Sequence, residues 1–510
     1  MKMSYVVLVF ALVISLANCQ SSPTKNSTED LRKPASTSDL FQGADQVVRD
    51  LHDNSIFNAQ TCPAYLTKVT QYLFGASSDY FVPKTPAEAA LFKEQGLRLL
   101  NTLFQVQVTL RERFQEFDEK NELSHECLNM VRDGIQYARY TQEYLLEWLV
   151  HNKVVPEREP NILQKDPIYT LTNPKFENFK LQTGDLMVIR GQSFVSAMIA
   201  RIADEEGNFS HLAIIGEDKA GHQYVVEALI QTGVIITPLQ KWLQTPDARV
   251  ALFRQRDPQL AQKAGRTIYD YAKARLSKDG EIRYDFAMND FDYSKFFCSE
   301  VAKYAYDKAS DGKLLLPKYR SGITKFKNSD YPESLGVTSK TLFAPYDIEA
   351  DPRFDFIAEY KYYPLLRQVR MQDAVLQSVY DWMIEKNYTF HWTAKMSTKA
   401  YLGKFLRQFG LLKDKMPKYM PIRTIATTLQ FEGVATVLEQ NIYKKEDEYY
   451  KKNGYLPTFK ALMDINEAFR KEDCLTNQAF MDKVDDESSP SMPYPQFHWF
   501  FSPDKNASCN

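Results

Sequence analysis

Cys298 opens the segment Cys298-Ser299-Glu300-Val301-Ala302-Lys303-Tyr304-Ala305, and Ala302 and Ala305 fall about one and two helical turns beyond it. That spacing predicts a helix packed closely on a sheet through its small residues, with the cysteine near its N-terminus. A helix dipole at that end favours the thiolate, and the Cys298 backbone N–H is placed to help hold an oxyanion. The chemistry on offer is nucleophilic attack on a carbonyl, which needs a base and a group that orients the base. Taken alone, a single cysteine is more often a small buried hydrophobe.

A base with its orienter stands upstream. His211-Leu212-Ala213-Ile214-Ile215 runs into the polar stretch Gly216–Gly221, and the chain returns through Tyr224–Leu229, which predicts a β-hairpin. With the turn centred on Lys219, His211 stands directly opposite Glu227, on the face shared by Ala213, Ile215 and Val225. A carboxylate beside an imidazole fixes its tautomer and stabilises its charged form. A slip of one residue would separate the two, and a purely structural His–Glu pair is the competing reading.

Other site chemistries find no foothold. There is no G-x-G-x-x-G after a strand and no phosphate-binding G-x-x-x-x-G-K-[ST]. His125-Glu126 starts like a zinc-protease motif, but Asn129 stands where its second His is needed, and no C-x-x-C occurs. Gly191-Gln192-Ser193 lacks the second glycine of a serine nucleophile turn. No metal and no cofactor are expected. The 63 basic and 65 acidic residues leave a net charge of -2, so the basic footprint of a nucleic-acid binder is missing.

At this point the chain resembles the YiiX/YaeF-like permuted papain-like amidases of the NlpC/P60 superfamily, peptidase C92-like. The resemblance runs through Leu181-Gln182-Thr183-Gly184-Asp185, Ser210–Ile215, Val226-Glu227-Ala228 and Thr237-Pro238-Leu239. It continues through Tyr284-Asp285, Phe297-Cys298-Ser299-Glu300 and Ala344–Ile348, in the family's order. It implies an α+β fold in which an antiparallel sheet packs on a Cys-bearing helix, with the His strand preceding the Cys helix. It further implies Cys298 as nucleophile, His211 as base and Glu227 as third member. Phe297 departs from the Tyr that the family often has before the cysteine. Gln192 and Tyr293 are candidate second oxyanion donors, and Asp185 is read as a turn-former. The stretch from about Ser310 to Thr341 is longer than the family core and is a candidate cap over the cleft.

The elements that must position these residues are set in a chain of 510 residues, where about 150 residues per domain suggests roughly three domains. Lys2 and the short apolar run Tyr5–Leu16 predict a secretory leader over residues 1–19. Leu16-Ala17-Asn18-Cys19 resembles a bacterial lipobox, so Cys19 is a candidate lipid anchor, with plain secretion as the alternative. An anchored form would sit in the cell envelope, with Gln20 favouring the outer membrane. Residues 20–37 read as a flexible tether. Residues 38–152 read as a helical bundle, with Thr85-Pro86-Ala87-Glu88 forming a capping box. The Pro-punctuated residues 153–175 read as a linker, 176–360 as the catalytic domain and 361–510 as a second helical domain. The aromatic tail Tyr494–Phe501 reads as packing onto its own domain, with stacking on a sugar or partner as the alternative.

If Cys19 is modified or removed and Cys298 stays free, four cysteines remain. Cys62 and Cys127 share the first helical part, Cys474 and Cys509 the last, and one disulfide within each fits an oxidising compartment. In a reducing one all four are buried thiols. The sequon at Asn208 would set a glycan close to His211. The expected function is an exported cysteine hydrolase acting through an acyl-enzyme on an amide or acyl substrate. The resemblance points to cell-wall peptides. A lipid-directed acyltransferase or thiol esterase, and a non-catalytic scaffold lipoprotein, are the alternatives.

Overall fold

The computed structural model describes residues 37–76, 82–156, 161–289, 291–327, 329–391, 417, 419–481, 494–503 and 509. The leader, the Cys19 anchor and nearly all of the tether lie outside the described residues.

Four helices come first: α1 (Thr37–His52), α2 (Cys62–Ala76), α3 (Pro86–Glu119) and α4 (His125–His151). Helix α3 starts where the capping box demands. Thr85 Oγ1 accepts from the Glu88 N–H at 3.2 Å, and Glu88 Oε2 accepts from the Thr85 N–H at 3.1 Å. Ser124 caps α4 in the same sense, accepting from the Cys127 N–H at 3.1 Å. A disulfide joins Cys62 to Cys127 with the Cα atoms 5.5 Å apart, tying the starts of α2 and α4 together.

The centre is a seven-stranded antiparallel sheet built from β1 (Thr170–Thr172), β2 (Leu186–Arg190), β3 (His211–Glu217), β4 (Gln223–Leu229), β5 (Gly233–Pro238), β6 (Arg249–Gln255) and β9 (Phe354–Lys361). Their order across the sheet is β1-β9-β6-β2-β3-β4-β5. Strand β1 lies inside the stretch read as a linker. Its neighbours Pro167 and Pro174 flank three residues that pair with β9, Thr170 opposite Tyr360, at the sheet edge where nearby prolines cost no ladder bonds. Strands β7 (Ser321–Gly322) and β8 (Thr341–Leu342) form a small separate pair. Between β2 and β3 lies α5 (Phe194–Arg201), and between β5 and β6 the short α6 (Leu239–Trp242). Helices α7 (Pro258–Asp279) and α8 (Cys298–Ala309) lie against β3 and β4. Gly184, at φ +90°, passes so close to the Ala261 carbonyl of α7 that a side chain there would collide with backbone.

After the short α9 (Tyr331–Ser334) and β9, three helices follow: α10 (Tyr363–Glu385), α11 (Ile422–Asn453) and α12 (Phe459–Met481). The Cys474–Cys509 disulfide, with Cα atoms 5.7 Å apart, ties the tail to α12. Within the aromatic tail Phe497, Phe500 and Phe501 are buried, while Tyr494 and Trp499 are exposed. Asp473 on α12 accepts the Phe497 and His498 N–H groups at 3.0 Å each, so the tail docks on its own helices. No helix among the described residues is long and apolar enough to cross a membrane.

Buried charge joins these layers. Arg139 of α4 donates to Glu359 of β9 at 2.7 Å, to Glu349 at 2.5 Å and to the Asn208 side chain at 2.9 Å. Arg190 of β2 and Arg201 of α5 converge on one oxygen of Asp373 in α10, at 2.7 and 2.8 Å. Arg249 of β6 pairs with Glu143 of α4, its Nε donating at 2.6 Å. Asn208 is fully buried in this network, which leaves no room for the glycan its sequon allows. Burial tends to raise the Glu359 carboxyl, but Arg139 and Lys361 outweigh it and hold it at about 2, below its ordinary 4.5. Its contribution is therefore present above pH 4.5 and lost as the pH falls toward 2. Arg139→Met removes a cation from two buried carboxylates, and urea unfolding at pH 7 should show a loss of about 3–5 kcal/mol. The loss should shrink as the pH is lowered through the carboxylate range. A loss below about 1 kcal/mol, the size of a surface pair, would show that the network does not hold the layers together.

Candidate active site

The site begins with the hairpin. Asp218 accepts the N–H groups of Ala220 and His222 at 2.9 Å each, and Gly221 takes φ +86°. This five-residue turn centres on Ala220 rather than Lys219, so Ala213, not His211, stands directly opposite Glu227. The shift is two residues in partner position. It therefore keeps His211 and Glu227 on the same face, now as diagonal neighbours within side-chain reach. His211 Nε2 and Glu227 Oε2 lie 2.7 Å apart. The other Glu227 oxygen accepts from Trp242 Nε1 at 3.1 Å. The carboxylate is thus held at both ends, and Nδ1 is the ring nitrogen left to face the sulfur.

Cys298 is the first residue of α8 and is 4% exposed. Phe297 supplies no side-chain cap; instead Glu300 reaches back to accept the Phe297 N–H at 3.3 Å. Ala302 and Ala305 are fully buried, which lets the helix come close to β3. The Cys298 thiol and the His211 imidazole lie close enough to perturb each other's charge. Burial alone would raise the thiol, but the imidazole, the Ser299 hydroxyl and the Leu212 backbone more than offset it and set it below its ordinary value. Burial likewise opposes a charged imidazole, yet Cys298 and Glu227 lift His211 to about 10. Both shifts favour a thiolate–imidazolium pair over the neutral pair.

Tyr284 completes this end of the site. The loop before α8 doubles back so that the Phe296 N–H donates to the Arg283 carbonyl at 3.1 Å and the Asp285 N–H to the Phe296 carbonyl at 3.0 Å. This lays the buried Tyr284 phenol against both the sulfur and the backbone N–H of Cys298. Neither sequence candidate for this position is there. Gln192 is exposed and donates to the Pro246 carbonyl at 3.0 Å. Tyr293 stacks on Phe296 and donates to Asp307 at 3.0 Å, one helical stretch away from the sulfur. Both lie near Cys298 or the cleft in the chain, but local packing turns them elsewhere. The Tyr284-Asp285 pair belongs to the motifs that carry the family resemblance, but only the loop geometry reveals what its phenol faces. Asp185 accepts from Arg254 at 2.8 and 2.7 Å and from the Gln182 N–H at 2.8 Å, as a turn-former does.

Cys298, His211, Glu227 and Tyr284 line one cavity of about 590 Å³. Asp247 lines it too, and nothing in its sequence surroundings marks it. Burial raises its carboxyl to about 7, His211 lowers it and Glu227 adds to the rise. None of residues 310–341 lines this cavity; its far wall comes from α11 instead. Among the described residues no group of His, Cys, Asp and Glu side chains is arranged to hold a metal ion.

Residues 180–334 match a family described as permuted papain-like amidase enzyme, YaeF/YiiX, C92 family. The segment contains His211, Glu227, Tyr284 and Cys298. This part of the chain is a permuted papain-like amidase domain, which places the protein among cysteine peptidase or amidase hydrolases. Among solved structures, the metalloprotein yiiX from Escherichia coli O157:H7 is similar at 19% identity, over 35% of this chain and 97% of that one, with a TM-score of 0.27. No curated protein matches.

A thiol of ordinary pKa, about 8.5, is on the order of 0.3% thiolate at pH 6. Cys298 should therefore be alkylated by iodoacetamide at pH 6 at least tenfold faster than a free cysteine. Its rate should change little between pH 6 and 8. Glu227→Gln removes the charge that stabilises the imidazolium and should restore a pH dependence nearer that of an ordinary thiol. A wild-type rate that follows the free thiol across this range would contradict the ion-pair assignment.

Proposed function

We propose that the protein hydrolyses an amide or ester bond through an acyl-enzyme on Cys298, with His211 as proton carrier and Glu227 as its orienter. The carrying observation is that Glu227 bonds His211 and that His211 shares the wall of an open cavity with Cys298, which stands at a helix N-terminus. The thiolate sulfur attacks the carbonyl carbon, and the carbonyl π pair moves onto oxygen. That oxyanion is met by the Cys298 N–H and the Tyr284 O–H, while the helix dipole stabilises its charge. As the tetrahedral species collapses, the bond to the leaving group breaks and the imidazolium gives that group its proton. Water, deprotonated by His211, then attacks the thioester, and the carboxylic acid leaves as the thiol is restored.

The complete trio and the open cavity favour catalysis over a scaffold that has lost its chemistry. The leader-like N-terminus and the two disulfides support action in an oxidising, exported setting. The Cys19 anchor and a cell-envelope location remain part of this proposal.

The test is a trapped intermediate. Mass spectrometry of the protein mixed with an activated acyl ester should show one acyl group on Cys298. Cys298→Ala should carry none and should lose at least a thousandfold in kcat/KM. Tyr284→Phe should retain the acyl adduct but lose on the order of 10²-fold in kcat, the scale of one oxyanion donor. Acylation at another residue, or full activity in Cys298→Ala, would refute the assignment.

A further inference from the structure

The cavity at Cys298 has two kinds of lining. Cys298, His211, Glu227, Tyr284 and Asp247 are one. The other is aliphatic: Val195 and Ile199 of α5, Ile230 after β4, Ile235 of β5, and Ile425 and Leu429 of α11, with Ser196, Ser210, Thr237 and Thr428 among them. On α11, Ile425, Thr428, Leu429 and Glu432 recur at helical spacing, so one face of the helix is turned to the cavity. Val195, Ile199, Ile230 and Ile235 are only partly buried, and Leu429 is 37% exposed. Exposed polar residues such as Gln231, Lys241 and Thr245 stand at its rim. Apolar side chains left wet inside a polar rim mark a binding surface, and about 590 Å³ is the size of a pocket that buries a small molecule.

The match to the amidase family ends at residue 334, and α11 lies beyond it. We infer that the substrate carries a linear aliphatic chain next to the scissile amide or ester, and that α11 selects it through Leu429 and Ile425. This rests on the hydrolase reading for the position of the scissile bond. It does not rest on that reading for the binding of the chain. The aliphatic side chains and Cys298 line the same cavity, so a chain bound there lies in the space the sulfur faces. An extended peptide in the same space would bring backbone N–H and C=O groups against aliphatic walls, which costs free energy for each one left unpaired.

Binding is measured by calorimetry on the full chain carrying Cys298→Ala, below the micelle concentration of each probe. The probes are N-dodecanoylglycine, glycine dodecylamide, N-acetylglycine and N-acetyl-Leu-Leu-amide. At least one dodecyl probe should bind thirtyfold or more tighter than N-acetylglycine. Adding Leu429→Glu, at a position exposed enough to accept a charge, should cut that advantage at least tenfold. It should leave the acetyl probe and the melting temperature unchanged, and Leu429→Ala should fall between. Equal affinities for long and short probes, tighter binding of the dipeptide, or indifference to Leu429→Glu would each overturn the inference. The wild type is then assayed on p-nitrophenyl acetate and dodecanoate. Chain-length-dependent binding without any turnover would sink the hydrolase reading and leave this one standing. Turnover without a chain-length preference in binding would do the reverse.

Discussion

Buried positive charge is the constraint around which this protein is assembled. Arg139, Arg190, Arg201, Arg249 and Lys361 are all removed from solvent. A guanidinium or ammonium in that position must meet acceptors, because an unpaired buried charge costs several kcal/mol. The acceptors come from other layers. Glu143 lies on α4, Glu359 on β9 and Asp373 on α10, and Asp373 serves β2 and α5 together. Each pair thus fixes the placement of one element on another, with a directionality that apolar packing lacks. The N-terminal helices, the sheet and the C-terminal helices form one continuous hydrophobic core around this network.

The active site uses the same physics for a different end. In the network, each buried cation is paired with a buried carboxylate away from the active-site cavity wall. At the site, His211 lies between a carboxylate and a thiol, and all three side chains line the cavity. Burial that would neutralise an isolated imidazole or thiolate is offset by their attraction to each other. Their mutual attraction thus favours the charged pair, and the Tyr284 phenol and the start of α8 lie beside the same sulfur. Rigid support explains this preorganisation: β3 and β4 are central strands, and α8 sits against them through alanines.

Much of this was legible in the residues. The Thr85 capping box, the helix opening at Cys298 and the hairpin that presents His211 all rest on local rules: cap chemistry, small-residue spacing and alternation. The same-face relation of His211 and Glu227 survived a misplaced turn because a two-residue shift in pairing leaves strand parity intact. The turn centre itself was not legible, since it depends on how the Asp218 side chain folds back on its own loop. Gln192 and Tyr293 lie apart from the sulfur for a related reason. Proximity in sequence says little about which way a loop side chain turns, and both found partners outside the cleft.

By itself, the sequence determined which chemistry was available: one cysteine at a helix start, one histidine with a carboxylate on its strand partner, and no metal or nucleotide motif. Those features are local, so periodicity and spacing suffice to reveal them. Tertiary structure decided the rest, namely that Tyr284 and Asp247 join the site, that residues 310–341 do not line its cavity, and that α11 supplies the far wall. Leu429 and Cys298 are more than a hundred residues apart, and no pattern along the chain encodes their sharing a cavity. That juxtaposition follows from the packing of the C-terminal helices on the sheet, which buried charge from three layers holds in place.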